Sequence, residues 1–171
     1  MCGIIGVISD KGVTPTILEV LRKLEYRGYD SAGLATIQES GIERRRSKGK
    51  IENLESLIKR KPLSGNIGIG HTRWATHGVP SESNAHPHQK GSVVGVHNGI
   101  IENFREIRTE LESKGYKFTS DTDTEVVVQL CASYLDLGNT IEKAFENTLN
   151  CLEGAFALCF MFRENEDMLF V

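Results

Sequence analysis

Apolar residues fall into two rhythms along this chain. Short apolar runs bounded by glycine and polar clusters predict strands at Gly3–Ile8, Gly33–Ile37, Asn66–His71, Ser92–His97 and Ala155–Phe162. The first and last of these are apolar enough to predict buried strands, and the first would place Cys2 at a strand end inside the fold. Between the strands the spacing turns helical. Ile17, Leu18, Leu21 and Leu24 form one stripe, and its helix ends near Tyr26-Arg27-Gly28. Ile51, Leu54, Leu57 and Ile58 form a second, and Phe104, Ile107 and Leu111 a third, stopped by Gly115. A long run follows from Val126 to Leu137, and then Ile141, Phe145, Leu149 and Leu152. Start signals agree. Thr14-Pro15 supplies a cap and a first-turn proline, Thr122-Asp123-Thr124-Glu125 has capping-box form, and Thr140 caps the last helix. A turn at Arg163–Asp167 sends Met168–Val171 back as a strand.

Strands thus alternate with helices in one domain spanning 1–171, without repeats or low-complexity segments. The irregular stretch Thr72–Gly91 is long for a loop in a compact domain. It holds a tryptophan, an arginine and three histidines, which makes it a functional loop rather than a disordered one.

Composition narrows the classes. The chain has 171 residues, 39% apolar and 25% charged, with a net charge of −3. That balance suits a globular core and gives no sign of a nucleic-acid or polyanion surface. The cluster Arg44-Arg45-Arg46-Ser47-Lys48-Gly49-Lys50 is the exception, and is expected at a solvated loop or strand edge or against an anionic partner. No run is long enough to span a membrane and no leader pattern opens the chain. Cys2, Cys131, Cys151 and Cys159 lack metal-ligand spacing, and the last three sit among apolar neighbours as buried thiols. Free thiols point to the reducing cytoplasm.

The chemistry starts at Cys2. Removal of Met1 would leave it with a thiol nucleophile and a free α-amine of reference pKa near ~7.7–8.0, able to take the thiol proton. Gly3 would keep the chain thin enough for a substrate to approach. An isolated cysteine is more often inert, so the assignment depends on its company.

That company is four polar clusters: Glu25-Tyr26-Arg27-Gly28-Tyr29-Asp30-Ser31-Ala32-Gly33, His71-Thr72-Arg73-Trp74-Ala75-Thr76-His77-Gly78, Asn84-Ala85-His86-Pro87-His88, and His97-Asn98-Gly99-Ile100-Ile101-Glu102-Asn103. With Met1-Cys2-Gly3-Ile4 they resemble the class II glutamine amidotransferases, which are N-terminal-nucleophile hydrolases. Within that family they are most similar to the glutaminase domains of the glutamine–fructose-6-phosphate aminotransferases. The resemblance implies an α+β four-layer αββα sandwich with antiparallel sheets. It implies Cys2 as nucleophile, Asn98 and Gly99 as the oxyanion hole, and Arg73 and Asp123 as the glutamine clamp. Trp74, Thr76 and His77 would belong to the glutamine-site loop, with His86 beside it. The reaction implied is glutamine hydrolysis through a Cys2 thioester, whose ammonia goes to sugar isomerase domains that make glucosamine 6-phosphate from fructose 6-phosphate. L-Glutamine and those domains are the partners, with no cofactor, metal, nucleic acid or membrane, and with homo-oligomers forming through the missing domains.

The residue types suit this chemistry and also have plainer uses. Arg73 can clamp an α-carboxylate, or form a surface ion pair. Asp123 can pair with an α-ammonium, or stabilise a helix start. Asn98-Gly99 at a strand end can offer two oxyanion donors, or make a common turn. His86, His88 and His97 can be structural, and no carboxylate or thiol joins them at metal-ligand spacing. The family's domain continues beyond Val171, so an incomplete domain with an uncovered core face is expected, without the sugar isomerase domains. Rival readings are an amidophosphoribosyltransferase or asparagine synthetase type of class II enzyme, and a non-catalytic glutamine-binding regulatory domain.

Overall fold

Alternation on both faces of the central strands is what builds this fold. The computed structural model describes residues 2–75 and 78–171. In chain order the elements are β1 (Gly3–Ile8), α1 (Thr14–Leu24), β2 (Ser31–Gln38), β3 (Gly41–Lys48), α2 (Ile51–Arg60), β4 (Ile67–Arg73), β5 (His88–Lys90), β6 (Val93–Ile101), α3 (Phe104–Ser113), α4 (Asp123–Asp136), α5 (Ile141–Cys151), β7 (Gly154–Phe162) and β8 (Asn165–Phe170). Among the described residues they form two four-stranded sheets, ordered β1-β4-β2-β3 and β5-β6-β7-β8. Every strand pairing is antiparallel.

Three apolar layers separate four structural ones. Ala32 and Leu34 of β2 face outward with Val13, Ile17 and Leu21 of the first helical segment and Ile51, Leu54 and Ile58 of α2. Ala35 and Ile37 face the opposite way, joining Ile67 and Ile69 of β4, Val94 and Val96 of β6, and Cys159 and Met161 of β7 between the sheets. Leu158, Phe160 and Phe162 of β7 point away again, against Val127, Val128 and Cys131 of α4 and Phe145 of α5. The result is the αββα sandwich that the family resemblance implied.

Glycine sets how closely α1 approaches its sheet. A Cβ at Gly70 would lie 2.5 Å from Ile17 and 3.1 Å from Ile5, and one at Gly68 would lie 2.9 Å from Ile17 and Val13. The Gly-Ile-Gly alternation of β4 therefore puts isoleucines between the sheets and empty space under α1. The layer between the sheets is apolar at one end only. Toward the other end it holds His71, His86 and His88, all at most 5% exposed. Burial pushes the His71 imidazole down to about 3 and holds His86 and His88 well below the ordinary histidine value.

Several local expectations need correction. Thr14 is not a helix cap. Val13 occupies that position, and the Thr14 hydroxyl instead donates to the Leu63 carbonyl at 3.1 Å. Cys151 is exposed at the end of α5, next to the Tyr134 hydroxyl, whereas Cys131 and Cys159 are buried. β1 is an edge strand and only partly buried, and β7 is buried only from Leu158 onward. The turn before β8 is two residues long, not five, because β8 starts at Asn165. The basic stretch does lie on an edge strand, β3, but Arg44 and Arg46 fold inward rather than into solvent. The other two caps hold as expected, Thr122 accepting from the Glu125 amide and Thr140 from the Lys143 amide.

Two outcomes follow from this packing. Gly70→Val forces side chains between α1 and β4 apart and lowers unfolding free energy by about 1–3 kcal/mol, read as a reduced urea midpoint at unchanged slope. Stability also falls with acid. Histidines held neutral in the fold bind protons only when it opens, so stability declines as pH drops below the unfolded value near ~6.5, toward about 3 for His71. The slope is up to ~1.4 kcal/mol per pH unit for each such histidine. Urea titrations between pH 7 and 5 measure it, and His71→Phe makes the curve shallower.

Candidate active site

Strand register brings the chemical residues to one end of the sandwich. β1 runs antiparallel to β4 with Gly3 opposite Thr72, so Cys2 projects toward the chain leaving β4 at Arg73 and Trp74. The Trp74 amide donates to Cys2 Sγ at 3.1 Å, and the thiol lies 3.5 Å from the Trp74 carbonyl. Cys2 is half-buried, so the sulfur is sheltered but reachable. Gly3 also serves packing. The place of its missing Cβ is taken by Leu24 at 2.6 Å and Thr72 at 3.0 Å.

Cys2, Arg73, Trp74, His86, Gly99 and Asp123 line one cleft, together with His97 and Thr122. Arg73 is 3% exposed, which removes the surface ion-pair alternative. Its Nη2 donates to the Gly78 carbonyl at 3.2 Å, and Nη1 lies 3.6 Å from Asp30 Oδ1. Asp30 does more than pair with it. The Asp30 amide donates to the Arg73 carbonyl at 2.7 Å, and its Oδ2 accepts from the Ala75 amide. One carboxylate therefore fixes both the arginine and the exit of β4. The sequence places Asp30 in a conspicuous cluster without indicating this task, because the contact spans 43 residues.

Asp123 opens α4, and the structural use of its side chain is real. Oδ1 accepts from the Thr124 amide at 3.0 Å, and Oδ2 accepts from the Ile101 amide of β6 at 3.1 Å. His97 Nδ1 lies 3.7 Å from Oδ1 and 3.1 Å from the Thr124 hydroxyl. The carboxylate is thus held in place while still lining the cleft that Arg73 lines. A buried guanidinium and a buried carboxylate on one cleft match the two charges of an α-amino acid.

Asn98 and Gly99 do not end a strand, as the sequence suggested. They lie inside β6, which pairs with β7 up to Ile101 opposite Gly154. Gly99 has a φ of 114°, and a Cβ there would fall 2.2 Å from the Ala155 carbonyl oxygen, so no other residue fits. Gly99 reaches the Cys2 cleft. Asn98 points between the sheets and lines the adjoining groove with Gly3 and Ile4. Its Oδ1 is 2.8 Å from His71 Nε2.

Trp74 is half-exposed, with its indole over Gly28, where a Cβ would come within 2.8 Å of the ring. His86 sits on the loop after β4, and that loop is tied to β3. Arg46 donates to the Ala85 carbonyl at 2.9 Å and the Ser83 carbonyl at 3.1 Å, while Arg44 donates to the Pro87 carbonyl at 3.1 Å. His86 Nδ1 is 3.0 Å from His71 Nδ1, and among the described residues His86 Nε2 has no hydrogen-bond partner. Thr76 and His77, expected in the glutamine-site loop, lie outside the described residues, as does Met1. Among the described residues no group of three or more His, Cys, Asp and Glu side chains could hold a metal ion.

Comparisons with known proteins bear on the family and the fold. Residues 71–171 match a family described as "Glutamine amidotransferase domain". The glutamine–fructose-6-phosphate aminotransferase [isomerizing] of Mesorhizobium japonicum is 56% identical over 99% of this chain, and that of Bradyrhizobium diazoefficiens 57% identical over the same share. The chain spans 28% of the length of each. Among solved structures, glutamine phosphoribosylpyrophosphate amidotransferase from B. subtilis superposes with a TM-score of 0.81 at 24% identity, over 95% of this chain and 35% of that one. A structure titled as the allosteric regulatory enzyme of purine biosynthesis gives 0.80 at 26% identity, over 95% and 36%. With the family matched over more than half of its residues, the chain belongs to the glutamine amidotransferase domain family.

Proposed function

We propose that this chain hydrolyses the side-chain amide of L-glutamine with Cys2 as the nucleophile, and that it is the glutaminase part of a glutamine–fructose-6-phosphate aminotransferase. The observation that carries this reading is the convergence of the Cys2 thiol, the Arg73 guanidinium, the Asp123 carboxylate and Gly99 on one cleft.

Arg73 holds the α-carboxylate and Asp123 the α-ammonium, so the side chain of glutamine extends toward Cys2. His86 Nε2 carries a lone pair and accepts an N–H of the substrate. Trp74, Thr76 and His77 form the loop over the bound amino acid. Once Met1 is removed, the Cys2 α-amine takes the thiol proton and the thiolate attacks the amide carbon. The developing oxyanion is met by the Asn98 side-chain amide and the Gly99 backbone N–H. The tetrahedral intermediate collapses to a γ-glutamyl thioester, and ammonia leaves with the proton returned by the amine. Water then cleaves the thioester, giving glutamate and the free thiol. The ammonia goes to an acceptor site outside these 171 residues, where fructose 6-phosphate becomes glucosamine 6-phosphate. Association with other chains runs through those further domains. The free thiols of Cys131 and Cys159 suit the cytoplasm, and no described helix is long and apolar enough to cross a membrane.

Intact mass together with glutaminase activity tests the core of this reading. The active protein lacks Met1, and Cys2→Ala abolishes glutamate release while retaining glutamine binding. Equal hydrolysis by wild type and Cys2→Ala refutes it. Arg73→Lys loses a charge-assisted hydrogen bond, of about 1.5–3 kcal/mol, and so raises KM for glutamine about 10–150-fold. Asn98→Ala acts on the other parameter, lowering kcat by about 10²–10³ with KM little changed.

A further inference from the structure

His71 has no assigned part in the chemistry, yet it is fully buried and hydrogen-bonded to the proposed oxyanion-hole side chain. Strand alternation explains its position. In β4, Ile67, Ile69, His71 and Arg73 point between the sheets, while Gly68, Gly70 and Thr72 point away. His71 therefore faces β6 across the sandwich, where Asn98 points back toward it.

The protons in this contact can be placed. His71 Nε2 lies 3.0 Å from the His97 carbonyl oxygen and 2.8 Å from Asn98 Oδ1. A carbonyl oxygen only accepts, so Nε2 must carry the hydrogen. An N–H at Nε2 requires the oxygen of the Asn98 amide, not its nitrogen, to face the ring. The NH2 of Asn98 is then turned away from His71. His86 approaches the same ring from its face: His86 Nδ1 lies 3.0 Å from His71 Nδ1 and 3.2 Å from His71 Nε2, with the two rings set edge to face. Burial keeps the ring neutral by lowering its pKa to about 3. The directed hydrogen bond on this path is the one from His71 Nε2–H to Asn98 Oδ1, which polarises the Asn98 amide.

We propose that His71 is a positioning residue for glutamine hydrolysis, selecting and polarising the orientation of the Asn98 amide that donates to the oxyanion. The inference rests on the proposed role of Asn98. A hydrogen bond that fixes an amide's direction contributes only when the amide receives charge, so His71 acts on kcat and leaves ground-state glutamine binding alone. The sequence offers no sign of this, since Asn98 and His71 lie 27 positions apart and meet across two sheets.

A double-mutant cycle in the intact protein that carries this chain tests the inference. His71→Phe lowers kcat for glutamine hydrolysis at least ~10-fold with KM within ~3-fold, and His71→Gln, which keeps a side-chain N–H, recovers part of that loss. In an Asn98→Ala background, His71→Phe costs less than ~3-fold more. A second readout is the affinity for the γ-aldehyde analogue of glutamine. Its carbonyl adds the Cys2 thiol, with the thiol proton passing to oxygen, to give a tetrahedral thiohemiacetal. That affinity falls in His71→Phe by the same factor as kcat, while affinity for glutamate does not change. If His71→Phe does not fold, the same ratio is measured in His71→Asn, whose shorter side chain withdraws the donor. An equal loss from His71→Phe with and without Asn98 makes the residue merely structural and overturns the inference. A wild-type kcat in Asn98→Ala removes the oxyanion role itself, and this inference with it.

Discussion

The register between β1 and β4 is the constraint on which the rest of the structure depends. With Gly3 opposite Thr72, Cys2 comes to the amide of Trp74, and Arg73 and His71 both point between the sheets. A slip of one residue would reverse every side chain of a strand. His71 and Arg73 would then face α1, and the glycines would face β6. The register is held by packing on both faces. Gly68 and Gly70 admit Ile17 on one side, and Ile67 and Ile69 fill the layer between the sheets on the other. Chemistry at one end of β4 is thus enforced by apolar contacts at its other end.

This arrangement also explains how so many polar groups come to be buried together. Arg73 and Asp123 are each 3% exposed, and four histidines lie within the same end of the fold. A buried charge is tolerable only with directed partners. The carbonyl of Gly78 and the carboxylate of Asp30 serve Arg73, and the amides of Thr124 and Ile101 serve Asp123. His71, His86 and His88 remain neutral, so they add hydrogen-bond direction without adding charge to a site that already holds both signs.

Most elements were legible in the sequence because their periodicity is unambiguous. β1 and the helices carrying Ile17, Leu54, Leu111 and Phe145 emerge within a few residues of their observed bounds. The misreadings have local physical causes. Asn-Gly resembles a turn, and only the pairing of Gly99 with Phe156 reveals a strand passing straight through it. Cys151 has apolar neighbours in sequence, but on a helix those neighbours point elsewhere. Thr14 before proline resembles a cap, yet its hydroxyl found the Leu63 carbonyl 49 positions away. In the cleft, Cys2, Arg73, Gly99 and Asp123 were expected through the family resemblance, with residue types that suit the chemistry it implies. Asp30 and His71 were not, because their importance lies in what they orient, and that depends on contacts made only in the folded chain.

The arginines of β3 have one more consequence. β3 is an outer strand of its sheet, with a backbone able to accept another strand. Arg44 and Arg46 reach across to the segment bearing Ser83, Ala85 and Pro87, and Arg45 reaches the Lys61 carbonyl. A stray chain docking along this rim would meet three positive charges and have to dislodge the loop they anchor. The same guanidinium groups that steady the loop bearing His86 therefore also discourage self-association into fibrils.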